Sequence, residues 1–113
     1  MPKTRRLIGE EGVTFSNAFV SYSMCCPSRA TYFTGQYSHN HGVLYNPPPD
    51  GGYWALRHKN TTLPVALQRA GYTTTHLGKY LNGAGSSAAT IPPGWNDYYG
   101  AVDPTTYNYY GFK

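Results

Sequence analysis

The sequence has 113 residues, 40% of them apolar and only 12% charged, so it suggests one domain at most and lacks the highly charged composition of a disordered chain. The formal charge of +4 comes from scattered basic residues. We therefore expect no nucleic-acid partner and no polybasic membrane anchor. No apolar stretch approaches the ~18 residues of a membrane-spanning helix, and residues 1–12 lack the apolar core of a signal peptide.

The first third of the chain predicts a helix, a strand and a second helix. The helix starts near the N-terminus and ends at Gly12, and residues 13–20, rich in β-branched and aromatic side chains, predict a strand. A loop then carries the adjacent pair at residues 25–26. Pro27 suits the first turn of a helix that continues to Gly35.

The middle of the chain contains an α-then-β step. Residues 45–54 are rich in Pro and Gly and predict a loop. Thr62 can cap a short helix that ends at Gly71, and residues 72–78 then predict a buried or half-buried strand. Lys79 comes just after that strand, where functional groups of α/β folds cluster.

The C-terminal part, residues 82–113, is rich in Gly, Ser, Pro and Tyr and predicts mostly loop. The whole chain then has about two strands and three short helices, which indicates the α/β class. Two strands are too few for such a sheet, which needs more strands and helices on both faces. We therefore expect residues 1–113 to be a part of a larger α/β domain.

The adjacent cysteines, Cys25 and Cys26, have several possible roles. They can simply pack as small apolar side chains. A zinc site is disfavoured because the pair lacks knuckle spacing and because His39 and His41 do not complete it. A thiol phosphatase is excluded because neither position where its phosphate-binding Arg would follow a cysteine holds an Arg.

The stretch CCPSRATYFTG at residues 25–35 resembles the signature of type I sulfatases, in which Cys-x-Pro-Ser-Arg is followed at fixed spacing by Thr-Gly. The resemblance extends from about residue 2 to residue 100 and is nearest to the branch of N-acetylglucosamine-6-sulfatases and extracellular heparan endosulfatases. It rests also on EEGVTFSNAFV, GQYSHNHGV, TLPVALQRAGYTTTHLGKYLNG and IPPGWNDYYG. It implies that residues 1–113 are an incomplete part of an alkaline-phosphatase-like catalytic domain, with a mixed sheet flanked by helices.

The resemblance implies a chemistry that an unmodified cysteine cannot perform. In that family a separate formylglycine-generating enzyme oxidises the cysteine at the position of Cys25 to Cα-formylglycine. One hydroxyl of the hydrated aldehyde attacks the sulfur of a sulfate ester beside a divalent cation, Ca²⁺. The other hydroxyl then loses its proton and expels sulfate. A serine could accept the sulfo group but has no second hydroxyl with which to release it.

The resemblance also assigns roles to other side chains. Cys25, Arg29 and Lys79 are implied as catalytic, and residue 25 also as a metal ligand through its modified side chain. Lys79 is implied to contact the sulfate, and we expect His41 to approach the substrate, although a solvated or capping role suits it equally. The family's catalytic histidine position holds Leu81. His76, inside the predicted strand, is expected to be packed or hydrogen-bonded.

The carboxylates of the implied metal site are missing from the sequence. The family uses an Asp-Asp pair upstream of residue 1 and a further pair far downstream, whereas this chain has only Asp50, Asp97 and Asp103, none adjacent to another. Ca²⁺ takes six or more oxygen ligands, mostly carboxylate. We therefore expect residues 1–113 alone not to hydrolyse sulfate esters.

Two alternative functions remain open at the level of sequence. One is a non-catalytic glycan-binding module whose aromatic side chains stack on sugars: Trp54, Trp95, Tyr98, Tyr99, Tyr107, Tyr109 and Tyr110. The other is a hydrolase of phosphate esters, which the Cys-x-Pro-x-Arg context disfavours because such relatives use Ser or Thr. The implied partners of the sulfatase are a sulfated small molecule or glycan and the maturation enzyme, in a secreted, periplasmic or lysosomal setting.

Overall fold

The structure is a computed structural model and describes residues 1–102. Two short strands and a set of short helices surround one aromatic core. Among these residues no helix is long and apolar enough to cross a bilayer. The helices are α1 (Pro2–Thr4, continued by a π-helix over Arg5–Glu10), α2 (Cys25–Thr34), α3 (Ser38–His41), α4 (Gly52–Ala55) and α5 (Leu63–Arg69), with 3₁₀ turns at Lys59–Thr61 and Ala88–Thr90; the strands are β1 (Thr75–Gly78) and β2 (Asp97–Gly100).

Strands β1 and β2 pair in parallel, with Thr75 opposite Asp97 and Gly78 opposite Gly100. β1 confirms the strand predicted before Lys79, and the combination of helices with a parallel pair agrees with the α/β class. β2 was not predicted from the sequence, which favoured mostly loop for residues 82–113. Its sequence, Asp-Tyr-Tyr-Gly, is too short to show a periodic pattern, and pairing with β1 decides its conformation.

Helix α2 begins at Cys25, so the cysteine pair lies in the first helical turn and not in the loop that the sequence predicted. Met24 at the N-cap position makes no side-chain capping bond. The helix ends as predicted at Gly35, whose φ of 67° is left-handed and whose N–H donates to the Thr31 carbonyl. Ala30 and Phe33 lie on the buried face.

The core is built around the ring of Tyr80, which is 1% exposed. Phe33 from α2 stacks on it with ring centroids 4.6 Å apart. Tyr53 from α4 and Trp95 before β2 meet the same ring edge-on. The aromatic core therefore ties α2, which carries the cysteines, to the segment that follows β1.

Residues 13–20 do not form the strand that their composition predicted. Val13 is 76% exposed and Phe19 is 91% exposed. A strand needs a neighbour that accepts and donates its ladder hydrogen bonds, and no strand among residues 1–102 lies beside this segment. High β-propensity without a partner strand is therefore not enough here.

Helix α5 follows its predicted signals. Thr62 occupies the N-cap position, although its buried hydroxyl makes no capping bond and has no partner within residues 1–102. The helix ends at Arg69, and Gly71 follows with a left-handed φ of 87°. The helix before the strand is thus placed as the sequence predicted.

Candidate active site

A shallow open cavity of about 550 Å³ lies along helix α2. Cys25, Ser28, Arg29 and Tyr32 line it. The last three lie three, four and seven residues after the first, which is the spacing of one helix face. The periodicity of the helix therefore brings the cysteine and the arginine of the motif to the same surface.

Cys25 is the exposed member of the cysteine pair. Its Sγ donates to Oδ1 of Asn46 at 3.0 Å, and the backbone N–H of Cys26 donates to the same oxygen at 2.9 Å. Asn46, which comes from the Pro/Gly-rich loop, thus supplies the cap that Met24 does not supply. Sequence reasoning missed this residue because an Asn in such a loop usually serves its own turn.

Cys26 has a different environment from its neighbour. It is fully buried, and its Sγ lies 3.3 Å from Oδ1 of Asn82 and accepts from the Asn82 N–H at 3.4 Å. Burial raises the pKa of the Cys26 thiol, and the Asn82 N–H and the charge of Lys79 only partly oppose the rise. The thiol therefore stays protonated and structural, since a buried neutral thiol is a poor nucleophile.

Arg29 joins the motif to the end of β1. Its Nη1 donates to the backbone carbonyl of Lys79 at 2.5 Å, across 50 residues of sequence. The positive charge of Lys79 also acts to lower the pKa of the Cys26 thiol, although burial outweighs this effect. Cys25 and Arg29 therefore share one surface, and the backbone of Lys79 is bonded to Arg29.

His41 does not lie in this cavity. Its ring is fully buried, Nδ1 accepts from the Val43 N–H at 3.1 Å, and Nε2 lies 3.1 Å from Oγ1 of Thr31. Because Nδ1 accepts, the proton of the neutral ring is on Nε2, which donates to Thr31. Burial lowers the pKa of His41 and favours this neutral form. Both ring nitrogens are occupied within the fold, so the geometry assigns His41 to the support of α2.

His76 is packed and hydrogen-bonded, as the sequence predicted. It is 8% exposed, and its Nε2 lies 3.0 Å from the Gly78 carbonyl. Its ring stacks on that of Tyr98 with centroids 5.2 Å apart. Desolvation by burial lowers the pKa of His76, and the nearby positive charge of Arg29 lowers it further.

The described residues do not fit a Ca²⁺ site by themselves. No group of three or more His, Cys, Asp or Glu side chains lies close enough to hold a metal ion anywhere in residues 1–102. Asp103 lies outside that range. Because a hard cation needs several carboxylate oxygens, residues 1–102 would need ligands from elsewhere to hold the ion.

The aromatic residues considered for sugar stacking are divided between core and surface. Trp95 and Tyr98 pack against the core cluster. Trp54 and Tyr99 are 56% and 54% exposed. The other three lie outside the described residues: Tyr107, Tyr109 and Tyr110. The core thus uses two of the four described rings, which weakens the case for a stacking surface.

Comparisons with known proteins agree with the sequence motif. The family model described as Sulfatase matches residues 1–111. The chain is 39% identical to the "Extracellular sulfatase SULF-1 homolog" of Drosophila melanogaster and to the human N-acetylglucosamine-6-sulfatase, over 96% and 97% of the chain. It is 38% identical over 96% of its length to an arylsulfatase of Volvox carteri.

The chain matches only a small part of each of these relatives. The chain spans 10%, 21% and 17% of the three proteins in the same order. No solved structure matches it. A family match over residues 1–111, together with a motif whose cysteine and arginine share one cavity, identifies the chain as a member of the sulfatase family.

Proposed function

We propose that this chain is the N-terminal part of the catalytic domain of a sulfuric ester hydrolase. The complete protein would act on aryl or carbohydrate sulfate esters through a formylglycine made from Cys25. The observation that carries the proposal is the exposure of Cys25 at the first turn of α2, on the same face as Arg29. Cys26, its neighbour, is buried and hydrogen-bonded, so in the folded chain only Cys25 opens on the cavity.

The proposed fold of the complete domain is alkaline-phosphatase-like, with a mixed sheet flanked by helices. Residues 1–113 would supply its N-terminal portion. The parallel pair of β1 and β2 and the packing of α2 against the aromatic core support this assignment. A complete sheet of this kind needs more than the two strands found among residues 1–102.

The fit of a formylglycine at position 25 follows from the surroundings of the present side chain. The side chain is exposed, opens on the cavity, and donates a hydrogen bond to Oδ1 of Asn46. Once hydrated, this group supplies one hydroxyl that attacks sulfur and a second that allows sulfate to leave. Asn46 Oδ1 is placed to accept a hydrogen bond from a hydroxyl at this position, as it does from the thiol, and to keep its direction constant.

The chain's own cationic groups suit a sulfate ester. Negative charge on the oxygens around sulfur grows as the ester bond breaks, so fixed positive groups stabilise the transition state most. Arg29 lines the cavity one helical turn after Cys25. The backbone of Lys79 is bonded to Arg29, and the N-terminus of α2 adds a favourable field for an anion. We assign substrate contact to Lys79 and leave His41 out of the site.

Ca²⁺ and the maturation enzyme complete the proposal as partners. The resemblance implies both, and residues 1–102 contain no group of three or more His, Cys, Asp or Glu side chains that could hold the ion. The exposed position of residue 25 is compatible with an ion shared between this residue and another part of the complete domain. The natural ester, aryl or carbohydrate, is decided by loops that this chain does not contain.

The test is peptide mapping of the complete protein, co-produced with a formylglycine-generating enzyme. We expect residue 25 to lose the mass that separates a thiol-bearing methylene from an aldehyde, while Cys26 stays a thiol. Hydrolysis of an aryl sulfate should require that conversion. Cys25→Ala should abolish turnover, and the matched Cys26→Ala should lower stability but keep conversion. Sulfate release by protein that carries an unmodified Cys25 would overturn the proposal.

A further inference from the structure

We infer that His76 is a positioning residue that fixes the backbone from which Lys79 extends. The inference rests on the proposed function, because it concerns the placement of the lysine that contacts sulfate. His76 lies in β1, three residues before Lys79, and acts on it through the carbonyl of Gly78. Neither the sequence motif nor the family match assigns a role to this histidine.

The carbonyls of Gly78 and Lys79 are held by three donors. The Ala101 N–H donates to the Gly78 oxygen at 2.8 Å, and His76 Nε2 lies 3.0 Å from the same oxygen. Arg29 donates to the Lys79 oxygen. Two successive carbonyls at the end of β1 are therefore bound from β1 itself, from the residue after β2 and from α2. These bonds restrict where the Lys79 backbone can lie relative to Cys25.

The backbone at this point needs such support. Gly78 has a left-handed φ of 93°, and nothing lies within 4 Å of the position where a Cβ would stand. Glycine loses more conformational freedom on folding than any other residue, and no neighbouring side chain packs against this one. The hydrogen bond from His76 restricts the backbone of Gly78, the residue before Lys79.

The orientation of the His76 ring is set by its neighbours. A carbonyl can only accept, so Nε2 carries the proton and donates to Gly78. The ring lies 5.2 Å from that of Trp95, 5.2 Å from that of Tyr98 and 5.3 Å from that of Tyr80, measured between centroids. A ring held on three sides keeps its N–H on the carbonyl. Phenylalanine would fill the same space and lack the donor, which makes it the informative replacement.

The experiment is a double-mutant cycle in the complete, matured protein. His76→Phe should lower kcat/KM by about 10- to 100-fold, the cost of misplacing a catalytic group by roughly 1 Å. In a Lys79→Ala background the same change should have little further effect, because residues that act as a unit are not additive. An equal loss in both backgrounds would overturn the inference while leaving the sulfatase proposal intact.

A second measurement is independent of turnover. Protein made without the maturation enzyme keeps the Cys25 thiol, and its affinity for inorganic sulfate can be measured by calorimetry. We expect Lys79→Ala and His76→Phe to weaken sulfate binding, and His76→Phe to have no further effect once Lys79 is Ala. Sulfate affinity that is lowered by Lys79→Ala but unchanged by His76→Phe would contradict the positioning role.

Control variants separate positioning from general stability. Tyr98→Phe changes the same aromatic cluster and removes a hydroxyl that has no partner within residues 1–102, so kcat/KM should stay unchanged. His76→Gln keeps an N–H donor and should retain most of the activity. If His76→Phe unfolds below the assay temperature, the test uses His76→Gln instead. A loss of kcat/KM in His76→Gln as large as the loss in Lys79→Ala would overturn the inference. If the complete wild-type protein is matured and still shows no activity, that result would instead refute the sulfatase proposal.

Discussion

The two adjacent cysteines differ in burial, and that difference separates their chemistry. Cys25 is exposed in the cavity, whereas Cys26 is fully buried against Asn82. Helical geometry explains the contrast, because consecutive residues of a helix point about 100° apart. The family motif implies that the first cysteine is the reactive one, and the exposure of Cys25 on α2 is compatible with that proposal.

At the residue scale, Asn46 should affect stability and activity in opposite directions. Asn46→Asp keeps an acceptor at the start of α2 and adds a negative charge there, which should stabilise the fold by about 0.3–1 kcal/mol. The same charge repels a sulfate ester, so kcat/KM should fall. Chemical unfolding and sulfatase assays of the complete protein measure the two effects.

Two further variants serve as controls for Asn46→Asp. Asn46→Ala removes the acceptor and should cost about 1 kcal/mol, as the loss of a helix cap does. Asn40→Asp adds the same charge at an exposed position of α3 and should leave activity unchanged. An Asn46→Asp protein that is as active as wild type would show that this amide does not face the bound anion.

His41 should make stability depend on pH on the acidic side. Burial lowers the pKa of His41 from the usual 6.5. Just below pH 6.5 the ring is therefore protonated in the unfolded chain but stays neutral in the folded one. The contribution of neutral His41 to the free energy of unfolding is complete above about pH 6.5, and it is lost as the pH falls from there towards the lower pKa of the folded state. Urea unfolding at about pH 7.5 and about pH 5 measures the difference.

The histidine variants identify the source of that dependence. His41→Gln should reduce the difference in unfolding free energy between the two pH values, whatever its effect on absolute stability. His39→Gln replaces an exposed ring on the same short helix and serves as the control. The explanation fails if His39→Gln reduces the difference as much as His41→Gln does.

At the scale of elements, the boundaries of α2 and β1 follow from local signals. Gly35 and Gly71 stand where left-handed backbone ends a helix, and both were predicted from sequence. The strand at residues 97–100 was not, and the strand predicted at residues 13–20 is absent. A helix satisfies its own backbone, whereas a strand depends on a neighbour that local sequence does not name.

Gly35 offers a test of the helix boundary. Its φ is 67°, and no atom lies within 4 Å of a Cβ built there, so Gly35→Ala should cost about 1 kcal/mol through backbone strain alone. Gly35→Asn should cost less, because Asn tolerates this conformation better. Gly9→Ala, at a helical glycine with an ordinary φ, should be neutral or stabilising. Thermal or chemical unfolding compares the three, and a harmless Gly35→Ala would contradict the left-handed end.

At the scale of the whole molecule, large apolar side chains remain on the surface. Phe15, Phe19 and Leu77 are 79%, 91% and 74% exposed. The outward face of the parallel pair, which carries Leu77 and Tyr99, is open although parallel sheets are normally covered on both faces. Surfaces of this kind indicate packing against further structure, in agreement with the small share of each relative that this chain spans.

Residues 1–113 alone should therefore not hydrolyse sulfate esters. The chain can be co-expressed with the maturation enzyme and assayed on an aryl sulfate with and without Ca²⁺. We expect conversion of Cys25 to be detectable by mass and turnover to be absent, because residues 1–102 contain no cluster of side chains that could hold the ion. Turnover that is abolished by a chelator would show that this chain assembles a metal site by itself.

The sequence alone named Cys25 as the candidate reactive position, through its resemblance to a family motif. Cys25 and Arg29 are four residues apart, so a helix that contains both brings them to one face; the sequence predicted this helix from Pro27, and the structure extends it back to Cys25. The helix ends at Gly35 and Gly71 are equally local. The same reasoning named Lys79 by its place after a strand, but it could not say what holds that lysine near the pair.

Only the tertiary structure decided the contacts between distant segments. The Arg29 bond to the Lys79 carbonyl spans 50 residues, and Asn46 reaches the cysteine pair from a loop that sequence treats as a turn. The ring of His41 is buried, and both of its nitrogens make hydrogen bonds within the fold, so it does not face the cavity. Such contacts depend on how helices, strands and loops pack together, and packing is a property of the folded chain that no local pattern of residues contains.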